Sequence, residues 1–263
     1  MTVTSKDNQW VKEWRGLCDS AKKRRESGYF AVEGARLCGD ALRSGIGIKA
    51  VLYTASALAI YTDTVGPLIA AADTAVEISP EISRYMGDTM NPQGVFCIAK
   101  TLDNSLIIDK INIIGIYSAL EDIQDPGNLG TIIRTAEALG LSGLLLSDGC
   151  CDVYNPKVLR SSMGGVFRMP LMRVGNMTQA VKALQEKGLT AYACVVDANA
   201  TPITDAGFGP GSIAVIGNEG NGLKPETVEA CCHAVTIPMT GRAESLNASM
   251  AAGIILWEMS RPR

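Results

Sequence analysis

The sequence predicts an α/β protein in two parts, a small N-terminal α/β domain at 1–100 and a larger α/β domain at 111–263 built on a mostly parallel sheet. Three observations carry this. Helical stretches, with apolar residues three and four positions apart, alternate with short apolar runs of strand type. A chain of 263 residues, 47% hydrophobic and 19% charged, can bury the core of one large or two ordinary domains. The more polar stretch Lys100–Lys110 separates two such alternations and reads as a linker.

In chain order, residues 9–27 predict an amphipathic helix, because Trp10, Val11, Trp14, Leu17, Cys18 and Ala21 share one face and Gly28 follows as a stop. A strand at 29–32, a helix at 35–44 and a strand at 50–53 come next. Helix 65–72, strand 75–78, helix 80–86 and strand 94–99 complete the first domain. The second opens with a long apolar strand at 111–120 and continues with helix 129–139, strand 142–147 and helices 156–162 and 177–187. Strands at 189–196, 213–217 and 234–237, with helices at 224–231 and 246–259, follow. Strands alternating with helices imply a parallel sheet whose ligand site lies at the carboxyl ends of its strands.

Composition excludes several classes. No apolar run approaches the ~20 residues that span a bilayer, and 1–14 alternates charged and polar residues where a signal peptide needs an apolar segment, which predicts a soluble, cytoplasmic protein. Eight cysteines in a chain of this size, without an export signal, read as reduced thiols. The pairs Cys150-Cys151 and Cys231-Cys232 lack the spacing of a zinc knuckle, and His233 is the only histidine, so neither a metal site nor a histidine-based triad is expected. The formal net charge is −3, yet 1–49 carries ten Lys and Arg against six Asp and Glu. Within it the run Lys22, Lys23, Arg24, Arg25 is either a solvated helix face or a phosphate-binding patch.

Three segments of the second domain are candidates for chemistry. The first is Asp122–Arg134, where Pro126-Gly127 forces a turn, Asn128 is suited to cap the following helix, and Gly130 and Arg134 share a face. It reads as an ordinary capped helix with a surface Arg134–Glu137 pair, or as a functional helix mouth. The second is Ile213–Leu223, a buried strand entering a loop with Gly217, Gly220 and Gly222 and the carboxylate Glu219. It matches neither a P-loop nor a dinucleotide fingerprint, and reads as a glycine-rich turn or as a loop lying close to a ligand. The third is Ile237–Ile254, in which Ser245 or Asn247 starts a helix of small residues; close helix packing explains Ala248, Ala251 and Ala252, but not the polar Ser245, Asn247 and Ser249 at its mouth.

In this order the three segments resemble the motifs of the SpoU (TrmH-like) family, within the SPOUT class of S-adenosylmethionine-dependent RNA ribose methyltransferases. Asn128-x-Gly130-x-x-x-Arg134 resembles the first motif, Ile216-Gly217-Asn218-Glu219-Gly220 the second, and Ile237-Pro238-Met239 with Ser245-Leu246-Asn247-x-Ser249 the third. Thr4-Ser5-Lys6 and Phe30–Gly34 are similar to the substrate-binding domain that precedes the catalytic one in many members, and Asn155–Arg168 resembles a stretch near the RNA-facing site.

The resemblance implies an N-terminal RNA-binding domain and a SPOUT domain with a C-terminal trefoil knot, homodimers with the site near the interface, and methyl transfer from S-adenosylmethionine to a ribose 2′-hydroxyl of ribosomal or transfer RNA. It implies cofactor contacts at Gly217, Ile237, Met239 and Leu246, and catalytic roles for Arg134, Asn128, Glu219, Ser245 and Asn247. Arg134 is either the base or, because a guanidinium stays protonated below a pKa of ~12, a positioning group for the target phosphate. With an acidic protein overall, RNA contacts are expected in local patches, chiefly within residues 6–25, at Lys22, Lys23, Arg24 and Arg25, and at Lys157, Arg160, Arg168 and Arg173. A catalytically silent RNA-binding relative and a methyltransferase of some other substrate are the alternatives.

Overall fold

The computed structural model describes residues 2–89, 91–102 and 108–261. They divide into two compact units, Met1–Asp103 with Tyr154–Phe167, and Asn104–Val153 with Arg168–Arg263. Of the stretch read as a linker, 103–107 lie outside the described residues.

The first unit contains α1 (Gln9–Asp19), α2 (Ala21–Ser27), β1 (Tyr29–Glu33), α3 (Ala35–Arg43), β2 (Ile48–Tyr53), α4 (Ala55–Ile60), α5 (Thr62–Ala71), β3 (Thr74–Glu77), α6 (Pro80–Met86) and β4 (Val95–Lys100). Its sheet runs β1-β4-β2-β3, with β4 antiparallel to both neighbours and β2 parallel to β3. The single helix expected at 9–27 is two, because the Ser20 hydroxyl accepts a hydrogen bond from Lys23 N and starts a second helix; Gly28, at φ 72°, ends it. The apolar face of α1 packs into the core, where Trp14 meets Phe96 edge-on at 5.1 Å. The helix α8 (Pro156–Ser162), read from sequence as part of the second domain, belongs to this unit. Flanking it, Tyr154 stacks on Phe30 at 4.4 Å and its hydroxyl accepts a bond from Leu102 N at 2.8 Å.

The second unit contains β5 (Tyr117–Leu120), α7 (Pro126–Ala138), β6 (Gly143–Ser147), β7 (Leu171–Val174), α9 (Met177–Glu186), β8 (Thr190–Cys194), β9 (Thr201–Pro202), β10 (Ser212–Ile216), α10 (Pro225–Ala230), β11 (His233–Thr236) and α11 (Ala248–Ser260). All strand pairs are parallel, in the order β7-β6-β5-β10-β8-β11-β9. The chain steps outward from β5 to β7 and then returns to the other side of β10, so the order reverses between β5 and β10. The strand expected at 111–120 is confined to 117–120, because a turn at Asn112–Gly115 precedes it and leaves Ile113 and Ile114 exposed. Asn128 does not cap α7: Asp125 does, its carboxylate accepting from Asn128 N at 2.8 Å, and the Asn128 side chain is left for other partners. Asn247 caps α11, and the small residues Ala248 and Ala252 are buried where α11 packs on α7. Among the described residues no helix is long and apolar enough to cross a membrane, and no group of three or more His, Cys, Asp or Glu is placed to hold a metal ion.

Candidate functional site

Parallel strands deliver their carboxyl ends to one edge of the sheet, and the loops leaving β8, β10 and β11 enclose a cavity of about 480 Å³ there. Its walls include the strand ends Cys194 and Ile216, the glycine loop Gly217–Leu223, and Ile237, Met239, Glu244, Ser245 and Leu246. Ala248, Ala251 and Ile255 of α11 close one side. Its size falls within the range of small-molecule sites, ~300–1,000 Å³. The four positions expected to touch a cofactor, Gly217, Ile237, Met239 and Leu246, all line it.

The shape depends on Gly217. A Cβ there would lie less than 3.0 Å from the carbonyl group of Gly222 and from Leu223 N, so the loop folds back on itself only with no side chain at this position. Asn218 holds the loop closed: its backbone exchanges hydrogen bonds with Gly222, and its side-chain oxygen accepts from Gly220 N at 2.8 Å.

At the cavity's rim the three sequence segments meet. Asn128, in the first turn of α7, donates through Nδ2 to a Glu219 carboxylate oxygen at 2.6 Å, and its Oδ1 accepts from Asn247 Nδ2 at 3.0 Å. Asn247 Oδ1 in turn caps α11, accepting from Ser249 N and Met250 N. Residues separated by 91 and 119 positions thus form one chain of hydrogen bonds. Ser245 is exposed on the wall. Arg134 is not part of this chain: six residues beyond Asn128, it lies about 120° away from it around α7. It is exposed, without an ion-pair partner among the described residues, and the surface pair expected with Glu137 is absent because Glu137 bonds Arg168 at 2.7 Å.

The basic residues expected to meet RNA fall into different environments. Lys22, Lys23 and Arg25 are exposed on α2. Arg24, grouped with them in sequence, is 4% exposed, and its guanidinium donates to Leu17 O and Cys18 O at the end of α1. Arg24 is therefore structural: from α2 it turns back across the break at Ser20 onto the last carbonyls of α1. On α8, Lys157 is exposed, whereas Arg160 pairs with Asp88 at 2.7 Å.

Sequence reasoning missed the acidic pair at the end of β5. Glu121 is 2% exposed and accepts from Lys224 N and Thr227 Oγ1, both at 2.9 Å. Asp122 adopts φ 58° and accepts from the Ser147 hydroxyl at 2.7 Å; that bond, and then Lys224, hold its carboxyl below the ordinary value, while Asp122 raises the Lys224 ammonium. Nothing in local spacing marks these residues, since Asp122 and Lys224 meet only through the fold.

Comparison with known proteins agrees with this geometry. Residues 115–257 match the SpoU rRNA Methylase family, and residues 8–97 match the MRM3-like substrate binding domain. The chain is 34% identical over 261 residues to an uncharacterized tRNA/rRNA methyltransferase of Synechocystis sp., covering 99% of this chain and 93% of that one. It is 30% identical to the 23S rRNA (guanosine(2553)-2′-O)-methyltransferase RlmP of Bacillus subtilis, covering 98% of each. The crystal structure of an AdoMet-bound rRNA methyltransferase from Sinorhizobium meliloti superposes with a TM-score of 0.87 at 31% identity, covering 98% of this chain and 97% of that one. With more than half of its length matched to that family, and its three polar motifs joined at one cavity, the chain belongs to the SpoU rRNA methylase family.

Proposed function

We propose that this protein transfers a methyl group from S-adenosylmethionine to a ribose 2′-hydroxyl of ribosomal RNA. The observation that carries the reading is the hydrogen-bonded chain Glu219–Asn128–Asn247 at the rim of the cavity behind Gly217. The cavity suits the cofactor: Ile216, Val235, Ile237 and Ile255 offer apolar surface to an adenine, the loop backbones offer hydrogen bonds, and Glu219 and Glu244 bring negative charge toward a sulfonium. Bound S-adenosylmethionine supplies an electrophilic methyl group.

The chain's own residues do the rest. Gly217, Ile237, Met239 and Leu246 form the walls against the cofactor, and Asn128, Glu219, Ser245 and Asn247 provide donors and acceptors that align the ribose. Arg134, exposed on α7, holds the target phosphate with its guanidinium and orients the hydroxyl for in-line attack. The first unit presents the RNA, through Lys22, Lys23 and Arg25 on α2 and through Lys157 on α8. The C-terminal trefoil knot belongs to this reading.

The working form is a homodimer in the cytoplasm, where ribosomal RNA is met. Met250, Ile254 and Trp257 form an exposed apolar stripe on α11, with Met250 61% and Trp257 59% exposed, of the kind a second copy covers. Sedimentation is expected to give twice the chain mass of 27.8 kDa, reduced to one chain by Trp257→Glu; a monomer that retains full activity removes the dimer from the reading. The activity is tested with purified protein, labelled S-adenosylmethionine and ribosomal RNA. Label is expected in alkali-resistant dinucleotides; label confined to bases, or none, refutes ribose methylation.

A further inference from the structure

The glycine loop lies against the cofactor cavity on one side and is fastened on the other. Its leading end is tied by Asn218 Nδ2, which donates to the backbone carbonyl of Asp122 at 2.8 Å. Its trailing end is tied at Lys224, whose backbone N–H donates to the Glu121 carboxylate at 2.9 Å and whose ammonium lies 3.1 Å from the Asp122 carboxylate and 3.9 Å from that of Glu121. Glu121 also reaches Thr227 on α10, at 2.9 Å, so the start of the helix that follows the loop is fixed by the same side chain. Glu121, Asp122 and Lys224 line a separate crevice of about 620 Å³ and do not line the cofactor cavity. They can influence a bound cofactor only through the loop.

We propose that Glu121 and Asp122, with Lys224 as the latch between loop and strand, are positioning residues that hold Gly217–Leu223 in its cofactor-binding shape. The inference rests on the reading of the 480 Å³ cavity as the cofactor site. It assigns to the end of β5 a role distinct from that of the rim residues: Glu219, Asn128 and Asn247 face the reactants, whereas Glu121 and Asp122 set the loop on which Glu219 stands. The backbone at Asp122 fits this role. Its φ of 58° turns the chain sharply at the strand end, a conformation that Asp tolerates better than most residues, and Gly149 leaves room for its carboxylate, since a Cβ at 149 would collide with it.

Lys224→Met, Asp122→Asn and the double variant separate this role from simple scaffolding, because both side chains are partly exposed and neither variant empties the core. Titration with S-adenosylhomocysteine is expected to show about 2- to 5-fold weaker binding for each single variant, in the range of a partly exposed ion pair. The double variant is expected to be no weaker than Lys224→Met, because that variant already removes the contact that Asp122→Asn removes, together with the one to Glu121. Lys224→Arg is expected to restore affinity, and in turnover the loss is expected in KM for S-adenosylmethionine with kcat retained. In ligand-free protein, hydrogen exchange at the amides of Gly220, Asn221 and Gly222 is expected to quicken by a similar factor in Lys224→Met, with an unchanged global unfolding midpoint. Unchanged exchange and unchanged affinity in both single variants overturn the latch. If the unmodified protein binds no S-adenosylhomocysteine, the cofactor reading fails, and the exchange measurement still decides whether the latch holds the loop.

Discussion

Adding one methyl group at Gly217 is expected to weaken cofactor binding while leaving the protein folded. In Gly217→Ala the new Cβ would sit within 3.0 Å of the Gly222 carbonyl and of Leu223 N. Both are backbone groups, so relief requires the loop to open and not merely a side chain to swing aside. Overpacking of this kind costs about 1–3 kcal/mol. Because the closed loop is the form that borders the cavity, that cost is subtracted from binding, which predicts a dissociation constant for S-adenosylhomocysteine about 5- to 150-fold higher. Two other glycines serve as controls. A Cβ at Gly66 or at Gly241 meets nothing within 4 Å, and neither residue lines the cavity, so Gly66→Ala and Gly241→Ala are expected to bind normally. Isothermal titration of the three variants, with thermal unfolding as a check on folding, makes the test. A Gly217→Ala protein that binds as tightly as its two controls refutes the argument that the loop must fold back on itself to make the site.

Three further outcomes follow from the same geometry. Replacing Lys22, Lys23 and Arg25 with Gln is expected to weaken RNA binding and flatten its salt dependence by roughly 0.7–0.9 per lost phosphate contact, whereas Arg24→Gln is expected to lower the unfolding midpoint, at a cost of about 1–3 kcal/mol, by stranding Leu17 O and Cys18 O; an unchanged salt slope returns the triple cluster to a solvated face. Arg134→Ala is expected to bind S-adenosylhomocysteine normally and to lose methyl transfer by about 10²-fold or more in a single-turnover assay; normal turnover removes Arg134 from the mechanism. The Asp122–Lys224 latch sets a pH window. Asp122 is held below its ordinary 3.8, so its contribution is complete above that value and is lost as pH falls through the lowered one; Lys224 is raised above 10.5, so its contribution is complete below that and is lost at still higher pH. With Glu121 and Glu226 the other charges beside Lys224, loop exchange is expected to show no latch-dependent change from about pH 5 to about pH 9; a midpoint inside that window contradicts the assignment.

Much of the fold was legible because periodicity reports burial. The helix at 80–86 buries one apolar face, and the strand read at 213–217 lies one residue earlier, at 212–216, where its unbroken apolar run is buried along its whole length. Elements that bury little left no such trace. The strand β7 is only partly buried along its length, β9 is two residues long, and α4 runs for six residues behind its Thr54 cap. The break at Ser20 was hidden for the opposite reason: the apolar stripe of α1 runs on across it through Ala21, and the hydroxyl that starts α2 has no apolar signature. Arg24 faces inward for the same reason: the break lets its guanidinium reach back to Leu17 O and Cys18 O, a contact that no helical spacing shows.

The candidate site was legible where residue type is forced, and illegible where only adjacency matters. Asn128 illustrates the first case. Its rim position needs one donor, toward the Glu219 carboxylate, and one acceptor, toward the Asn247 amide. An amide supplies both at once; a carboxylate would set two negative charges together, and an alcohol could not span the two partners in those directions. Asn128 also looked like a helix cap, and it could serve the rim only because Asp125 takes that duty three residues earlier. Glu121 and Asp122 illustrate the second case. The register that pairs Leu120 with Ile216 carries both chains out of the sheet side by side, so Glu121 N donates to Ile216 O at 2.8 Å and the two acids come to rest beside a loop some hundred residues away. Any acidic pair at that point of the sequence would read the same, and only the parallel pairing of β5 with β10 turns this one into an anchor for the site.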